Sequence, residues 1–268
     1  MSNTLQKIYA AKAALLEEEQ QREPYEVLRE RALARVPHRR PFVAALRSAG
    51  GAAIVCEIKR ASPSAGLIAR NFDPLAIART YEAAGADAIS VLTERDHFLG
   101  ELGYLDEVRA VTTRPLLRKD FLWTRYQVAQ SAAYGADCML LIVSGMEDAA
   151  IAECMEEARV YSLDVLLEAH DEDELRRAVA LGGTFIGINN RDLRTLVTDL
   201  AVSEHLLPKV PSGILAITES GMREASDIVR LRAAGAHAFL VGEALMRSED
   251  PKALIAALRG GAVPAHAR

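Results

Sequence analysis

The chain has 268 residues, half of them hydrophobic, and a formal net charge of −5. That length fits one large α/β domain or two small ones, and the acidic balance argues against nucleic acid or a membrane surface as a partner. Six histidines are scattered and show no metal-ligand spacing.

The three cysteines, Cys56, Cys138 and Cys154, lack a Cys-x-x-Cys pair and read as small core residues in a reducing compartment. The opening MSNTLQKIYAAKAALLEEEQQ is charged and has no signal-peptide h-region. The longest apolar runs, such as residues 138–143, fall far short of the ~20 that a bilayer span needs. The expectation is a soluble cytoplasmic protein.

Residues 1–50 stand apart. Leu5, Ile8, Leu15 and Leu16 recur at helical spacing, and Tyr25, Val27, Leu28 and Leu33 continue it after Pro24. Pro37 and Pro41 bracket the basic His38-Arg39-Arg40. The pattern predicts two helices, a turn and a short helix near 42–49. It forms an N-terminal extension whose apolar faces need a partner.

A rhythm starts at residue 52. EAAGADAISVL (82–92), AAYGADCMLLI (132–142), VALGGTFIGIN (179–189) and RAAGAHAFLVG (232–242) share one shape. Each is a helix end, a glycine suited to the left-handed region, and a short apolar strand. Gly85, Gly135, Gly182 and Gly235 lie about 50 residues apart, roughly two βα units per step. Between them fall AIVCEI (53–58), PLLRKD (115–120), LDVLLE (163–168) and ILAITE (214–219). Eight strands alternating with helices predict a closed (β/α)8 TIM barrel, with residues 1–268 as one domain. An open doubly wound sheet would show Gly-x-Gly-x-x-Gly after its first strand, and none is present.

Polar residues end the strands: Glu57 and Lys59; Ser90, Thr93 and Glu94; Arg118-Lys119-Asp120; Glu168 and then His170; Asn189-Asn190-Arg191-Asp192; Glu219-Ser220-Gly221; Gly242-Glu243. In a barrel these ends share one mouth, where catalytic residues gather. Arg118, Asp120 and Asp192 read equally as loop polarity or structural ion pairs. Lys59, Lys119, Glu57, Glu168 and Glu219 lie in or at the ends of strand-forming runs, where charge is costly unless paired. They read as a site. Ser220-Gly221 and Val241-Gly242 follow the seventh and eighth strands, a place where barrels bind phosphate through backbone N–H groups. Ser62, Ser64 and Lys59 or Arg60 add donors and charge from the first loop.

Glu57-Ile58-Lys59-x-Ala61-Ser62-Pro63-Ser64-x-Gly66 resembles the first-strand signature of the indole-3-glycerol phosphate synthase family. The likeness runs through residues 90–94, 117–121, 166–168, 186–193, 219–221 and 240–242, and covers essentially the whole chain.

The resemblance implies ring closure, decarboxylation and dehydration of 1-(2-carboxyphenylamino)-1-deoxyribulose 5-phosphate, with no cofactor. It implies Lys119 as general acid. Lys59 would pair with the substrate carboxylate and serve the phosphate end. Glu168 would be the second acid–base group. Glu57, Glu219 and Asn189 would hold the lysines and substrate, and Arg191 and Ser220 would contact substrate. Ser62, Gly221, Gly242 and Glu243 would form the phosphate cradle. Phe98, Phe121, Leu140 and Leu193 are candidates for the apolar wall around the aromatic ring. The expected partner is a small phosphorylated substrate, bound by a monomer.

Three positions depart from the pattern or stay open. Glu243 stands where some members carry serine, and Glu101 replaces a loop serine. Trp123 reads either as a lid or as rim packing. The rival readings are another phosphosugar barrel, such as phosphoribosylanthranilate isomerase, a Schiff-base lysine, and a non-catalytic ligand-binding barrel.

Overall fold

A computed structural model describes residues 3–49 and 51–260. Residues 1, 2 and 50 of the expected extension, and 261–268, lie outside the described residues. The barrel strands are β1 (Ala53–Ile58), β2 (Ala88–Leu92), β3 (Leu116–Lys119), β4 (Cys138–Ile142), β5 (Asp164–Ala169), β6 (Phe185–Asn189), β7 (Leu215–Glu219) and β8 (Ala238–Val241). All pair in parallel in chain order, and β8 closes on β1 through Ala238 opposite Ala53. The (β/α)8 expectation is met. The four repeat glycines, Gly85, Gly135, Gly182 and Gly235, all have positive φ (88°, 91°, 82° and 116°).

The strands read as unbroken apolar runs because both faces are covered. Ala53, Val55, Leu117, Leu140, Leu166 and Ile217 belong to one buried cluster inside the barrel. Their neighbours Ile54, Cys56, Leu116, Leu141, Leu167 and Ala216 belong to a second, between the strands and the helical ring. Period-two alternation therefore sorts inside from outside.

Helices follow the strands: α4 (Pro74–Ala83), α5 (Tyr104–Val111), α6 (Arg125–Ala133), α7 (Asp148–Val160), α8 (Glu172–Ala180), α9 (Ala201–Leu206), α10 (Ala225–Ala233), α11 (Glu243–Arg247) and α12 (Pro251–Leu258). Asp73, Asp171 and Asp250 cap α4, α8 and α12 by accepting from backbone N–H groups, and Thr124 with Gln127 forms a capping box on α6.

The extension comprises α1 (Asn3–Arg22), α2 (Tyr25–Arg35) and α3 (Phe42–Ser48). It serves both ends of the barrel. Phe42 and Leu46 of α3 join the inner cluster, and the Phe42 ring meets that of Phe185 at 5.9 Å between centroids. They plug the end where the strands begin. Phe42 is fully buried, which stabilises the fold by roughly 2–3 kcal/mol. Leu5 and Ile8 of α1 reach the opposite end. Between them α2 packs along α6, and the Tyr25 hydroxyl donates to Glu157 of α7 at 2.6 Å.

Asp137, just before β4, ties the plug to the barrel. Its buried carboxylate accepts from the backbone N–H of Arg40 and of Leu116, each at 2.8 Å, and from the Arg109 guanidinium at 2.5 and 2.9 Å. Asp137→Ala leaves two amides unpaired and takes the counter-charge from the Arg109 guanidinium, which keeps only the His38 carbonyl. It should lower unfolding stability by about 3 kcal/mol or more, measured by urea titration; a loss below about 1 kcal/mol, no more than an exposed pair is worth, would contradict this account of the joint.

Candidate active site

The charges predicted from the strand ends meet at one mouth. Lys119 Nζ, ending β3, lies 2.5 Å from Glu219 Oε2 of β7 and 3.1 Å from Glu168 Oε2 of β5. Lys59 Nζ lies 2.6 Å from Glu57 Oε2 of β1. All three carboxylates are buried. They open onto a cavity of about 1090 Å³, whose lining includes Glu57, Lys59, Lys119, Glu168, Asn189 and Glu219; Arg191, Ser220, Phe98, Phe121, Leu140 and Leu193; and Ser62, Gly221, Gly242 and Glu243, but not Arg60.

Register makes the cluster possible. Asn189 pairs with Glu219, and Glu168 with Gly187. A Cβ on Gly187 would stand 2.5 Å from Glu219 Oε1, and one on Gly242 would collide with Glu57 Oε2. Both glycines leave room for a carboxylate. For Gly242 this is a second reason for glycine, beside the expected backbone approach to phosphate.

Each charge is set by its neighbours. Burial opposes the Lys119 ammonium, but Glu168, Glu219 and Glu57 outweigh it and hold the lysine above its usual range. Burial also opposes the Glu168 carboxylate. Lys119 and then His170 overcome it, and Glu168 falls below the usual carboxylate range. Glu219 goes the other way. Burial raises it against the pull of Lys119, and with the repulsion of Glu168 and Glu57 it is pushed up to about 7. The arrangement offers a charged acid, an ionised carboxylate and a carboxyl poised near neutrality, all within reach of one cavity.

The chain after β6 fixes the far side. Asn189 Oδ1 accepts from the Arg191 amide at 3.0 Å, and the Arg191 guanidinium donates to the Leu196 carbonyl at 3.1 Å. Asn190 clamps β6 to β7. Its Nδ2 lies 3.0 Å from Thr218 Oγ1 and from the carbonyls of Glu219 and Ser220, and its Oδ1 accepts from the Ser203 amide at 3.1 Å. It thereby holds Ser220 and Gly221 at φ of 66° and 91°. The Ser62 hydroxyl accepts from the Ala65 amide at 3.1 Å, and Ser64 Oγ is 3.4 Å away. Glu243 pairs with Arg247 at 3.1 Å along α11, so its charge is balanced locally.

The apolar wall is larger than the sequence suggested. Leu5 and Ile8 of α1 join Phe98, Phe121, Leu140 and Leu193 around the cavity. Helical spacing marked them as apolar, but no local signal says which strands they cover. Glu94 does not act in the cavity as a free charge. It accepts from the amides of Asp96, His97 and Phe98 at 2.8–3.1 Å and so sets the loop that presents Phe98. Trp123 packs on Tyr9 at 5.1 Å between centroids and does not line the cavity, which favours rim packing over a lid. Glu101 is exposed and also outside the lining.

Arg118 and Asp120 form an ion pair at 3.2 Å, and Asp120 takes Lys12 of α1 at 2.6 Å. Asp192 pairs with Arg194 and closes its own turn. These pairs match the structural alternative, with Asp120 also at the cavity lining. Cys56 packs in the strand–helix layer, away from the cavity. Among the described residues, no cluster of His, Cys, Asp or Glu is arranged to hold a metal ion, and no helix is long and apolar enough to cross a membrane.

Glu219 makes a pH prediction. A carboxyl raised from the ordinary 4.5 to about 7 contributes to folding fully below 4.5, and that contribution is lost as pH rises through 7. Glu219→Gln removes the titration. Its unfolding free energy relative to the unsubstituted protein should climb between pH 4.5 and 7 by up to about 3 kcal/mol and then level off. Urea midpoints across that range test it; a flat difference would contradict the shift.

The family model described as indole-3-glycerol phosphate synthase matches residues 5–258. The chain is 46% identical over 265 residues to an indole-3-glycerol phosphate synthase of Polaromonas sp., covering 97% of this chain and 99% of that one. It is 45% identical over 264 residues to one of Streptomyces griseus, covering 98% and 97%. Among solved structures it resembles 3-hexulose-6-phosphate synthase (TM-score 0.58, 20% identity, 77% of this chain and 98% of that one). It also resembles a thiamine phosphate pyrophosphorylase from Pyrococcus furiosus (TM-score 0.58, 18% identity, 77% and 93%). Those two likenesses speak to the barrel alone. The match across nearly the full length, together with relatives this similar, places the chain in the indole-3-glycerol phosphate synthase family.

Proposed function

We propose that this protein converts 1-(2-carboxyphenylamino)-1-deoxyribulose 5-phosphate to indole-3-glycerol phosphate, CO2 and water. The observation that carries the reading is Lys119 held between two carboxylates at the cavity floor.

The aromatic carbon bearing the carboxylate attacks the ribulose carbonyl carbon. The carbonyl oxygen becomes a hydroxyl and needs a proton as the bond forms. Lys119, kept charged by Glu168, Glu219 and Glu57, supplies it. The same charge disfavours the Schiff-base alternative, which requires a free amine. CO2 then departs, leaving its electron pair to the cationic ring. The hydroxyl leaves as water with a second proton while the adjacent carbon gives one up. The sum consumes one proton per turnover, so the site must be recharged from solvent.

Glu168 is the second acid–base group, serving loss of the hydroxyl. Lys59 pairs with the substrate carboxylate once substrate competes with Glu57 for it. Glu57 and Glu219 stabilise the cationic intermediate. Asn189 and Arg191 orient substrate. Ser62, Ser220, Gly221 and Gly242 take the phosphate, with Glu243 turned aside to Arg247. Phe98, Phe121, Leu140 and Leu193 enclose the aromatic ring, joined by Leu5 and Ile8. We read the chain as one barrel domain with residues 1–50 as its extension, acting as a cytoplasmic monomer.

The assay follows indole fluorescence from the carboxyphenylamino-deoxyribulose phosphate. Wild type should turn over. Lys119→Met should lose at least ~10²-fold in kcat with its circular dichroism unchanged. No turnover by folded wild type would overturn the function; undiminished turnover by the variant would overturn the role of Lys119.

A further inference from the structure

Behind the reacting groups stands a residue that the mechanism above does not use. His170 follows β5 by one residue and does not line the cavity. Its side chain is 14% exposed. Nδ1 lies 2.9 Å from Glu174 Oε2 of α8, and the His170 backbone N–H donates to the same oxygen at 2.8 Å. Nε2 lies 3.3 Å from Glu168 Oε1, an ion-pair distance without the alignment of a hydrogen bond. The other oxygen of Glu168 faces Lys119. An unbroken file of groups therefore runs from the edge of α8 to the cavity: Glu174, His170, Glu168, Lys119, Glu219.

We propose that His170 is a positioning residue for the reaction, a cation strung between Glu174 and Glu168 that fixes the Glu168 carboxylate and keeps its second oxygen on Lys119. This rests on the functional reading above and adds a member to it. The argument is geometric. Glu168 has one oxygen on Lys119, and in a buried site the other requires a partner of its own. His170 is the cation beside it, and Glu174 holds it by one contact to the ring and one to its backbone N–H. With the ring anchored outside, a change at Lys119 during turnover meets a carboxylate that cannot swing away.

Charge supports the same picture. Burial would lower the His170 imidazolium, but Glu168 and Glu174 overcome it and raise it to about 10, so the ring is a cation at neutral pH. The titratable groups facing the Glu168–His170 pair are Glu174 from α8, Lys119 from β3, Glu219 from β7 and the buried phenol of Tyr9 from α1.

The test uses the full chain and the fluorescence assay, with wild-type turnover measured alongside. Absence of wild-type turnover would overturn the functional reading and this role with it, whereas wild-type turnover with unaffected variants would overturn this role alone. His170→Ala should lose about tenfold or more in kcat, toward the ~10²-fold that a misplaced catalytic group costs, with KM within about threefold. The acid limb of its kcat profile should move to higher pH, because Glu168 loses a cation. His170→Gln keeps an N–H donor without the charge. It should recover part of kcat but not the acid limb. Glu174→Gln leaves the imidazole in place and should shift kcat and the limb the same way by less; it carries the test if the His170 variants fold poorly. Folded variants with unchanged kcat and pH profile would overturn the proposal. So would a loss in which kcat, KM and melting temperature fall together and glutamine is no better than alanine.

Discussion

Everything at the mouth of this barrel depends on one constraint: charges inside a low-dielectric wall must be paired. Lys119 sits between Glu168 and Glu219, and Lys59 sits on Glu57. Neither lysine could occupy its strand end alone, nor could any of the three carboxylates. The pairing dictates the neighbours. Gly187 and Gly242 have no side chain because carboxylate oxygens fill the space. Asn189 stands in register with Glu219 on the neighbouring strand, and its side chain takes the Arg191 amide instead. An apolar barrel mouth would be easier to fold. The charged one is retained for what it does, at a cost in stability typical of working sites.

The two ends of the barrel show how that cost is confined. At the closed end, α3 and the Asp137 joint seal the interior with aromatic and aliphatic packing and a fully satisfied carboxylate. At the open end, Glu168 and Glu219 each stand two residues beyond an inner-cluster residue of the same strand, Leu166 and Ile217. Leu5 and Ile8 of α1 then bring an apolar wall back over them. The cavity is thus a charged floor beneath an apolar flank, suited to a ligand that carries a flat ring at one end and charge at the other.

Much of this was legible in the sequence because parallel strands buried on both faces leave little room for charge. A lysine or glutamate inside such a run is conspicuous. Glycines spaced at two βα units revealed the barrel, and its geometry delivered the mouth. Reading stopped where distance along the chain grew. Leu5, Ile8 and Lys12 look like any amphipathic helix, and nothing local shows that they meet residues more than a hundred positions away. Glu94 and Glu168 look alike as strand-ending acids, yet one staples a loop and the other faces the cavity. Arg118 and Lys119 are adjacent, and only the period of two separates an outward structural base from one that faces the cavity. The reason for Gly187 was hidden because it belongs to a side chain on another strand.

The N-terminal helix has a consequence in time. Lys12 pairs with Asp120, Tyr25 with Glu157, and the Arg40 amide with Asp137, contacts that span 108, 132 and 97 residues. This segment is synthesised before its partners, which do not exist as surfaces until β3, β4 and α7 have formed. Loop closure over such lengths is slow and comes late. During synthesis the amphipathic helices of the extension therefore wait with apolar faces bare, the state most open to wrong association. The α1 part of the apolar wall, Leu5 and Ile8, is then seated in a late docking step, so a chain that has closed its barrel but not yet seated α1 holds every charge of the site and lacks that part of the cavity's cover.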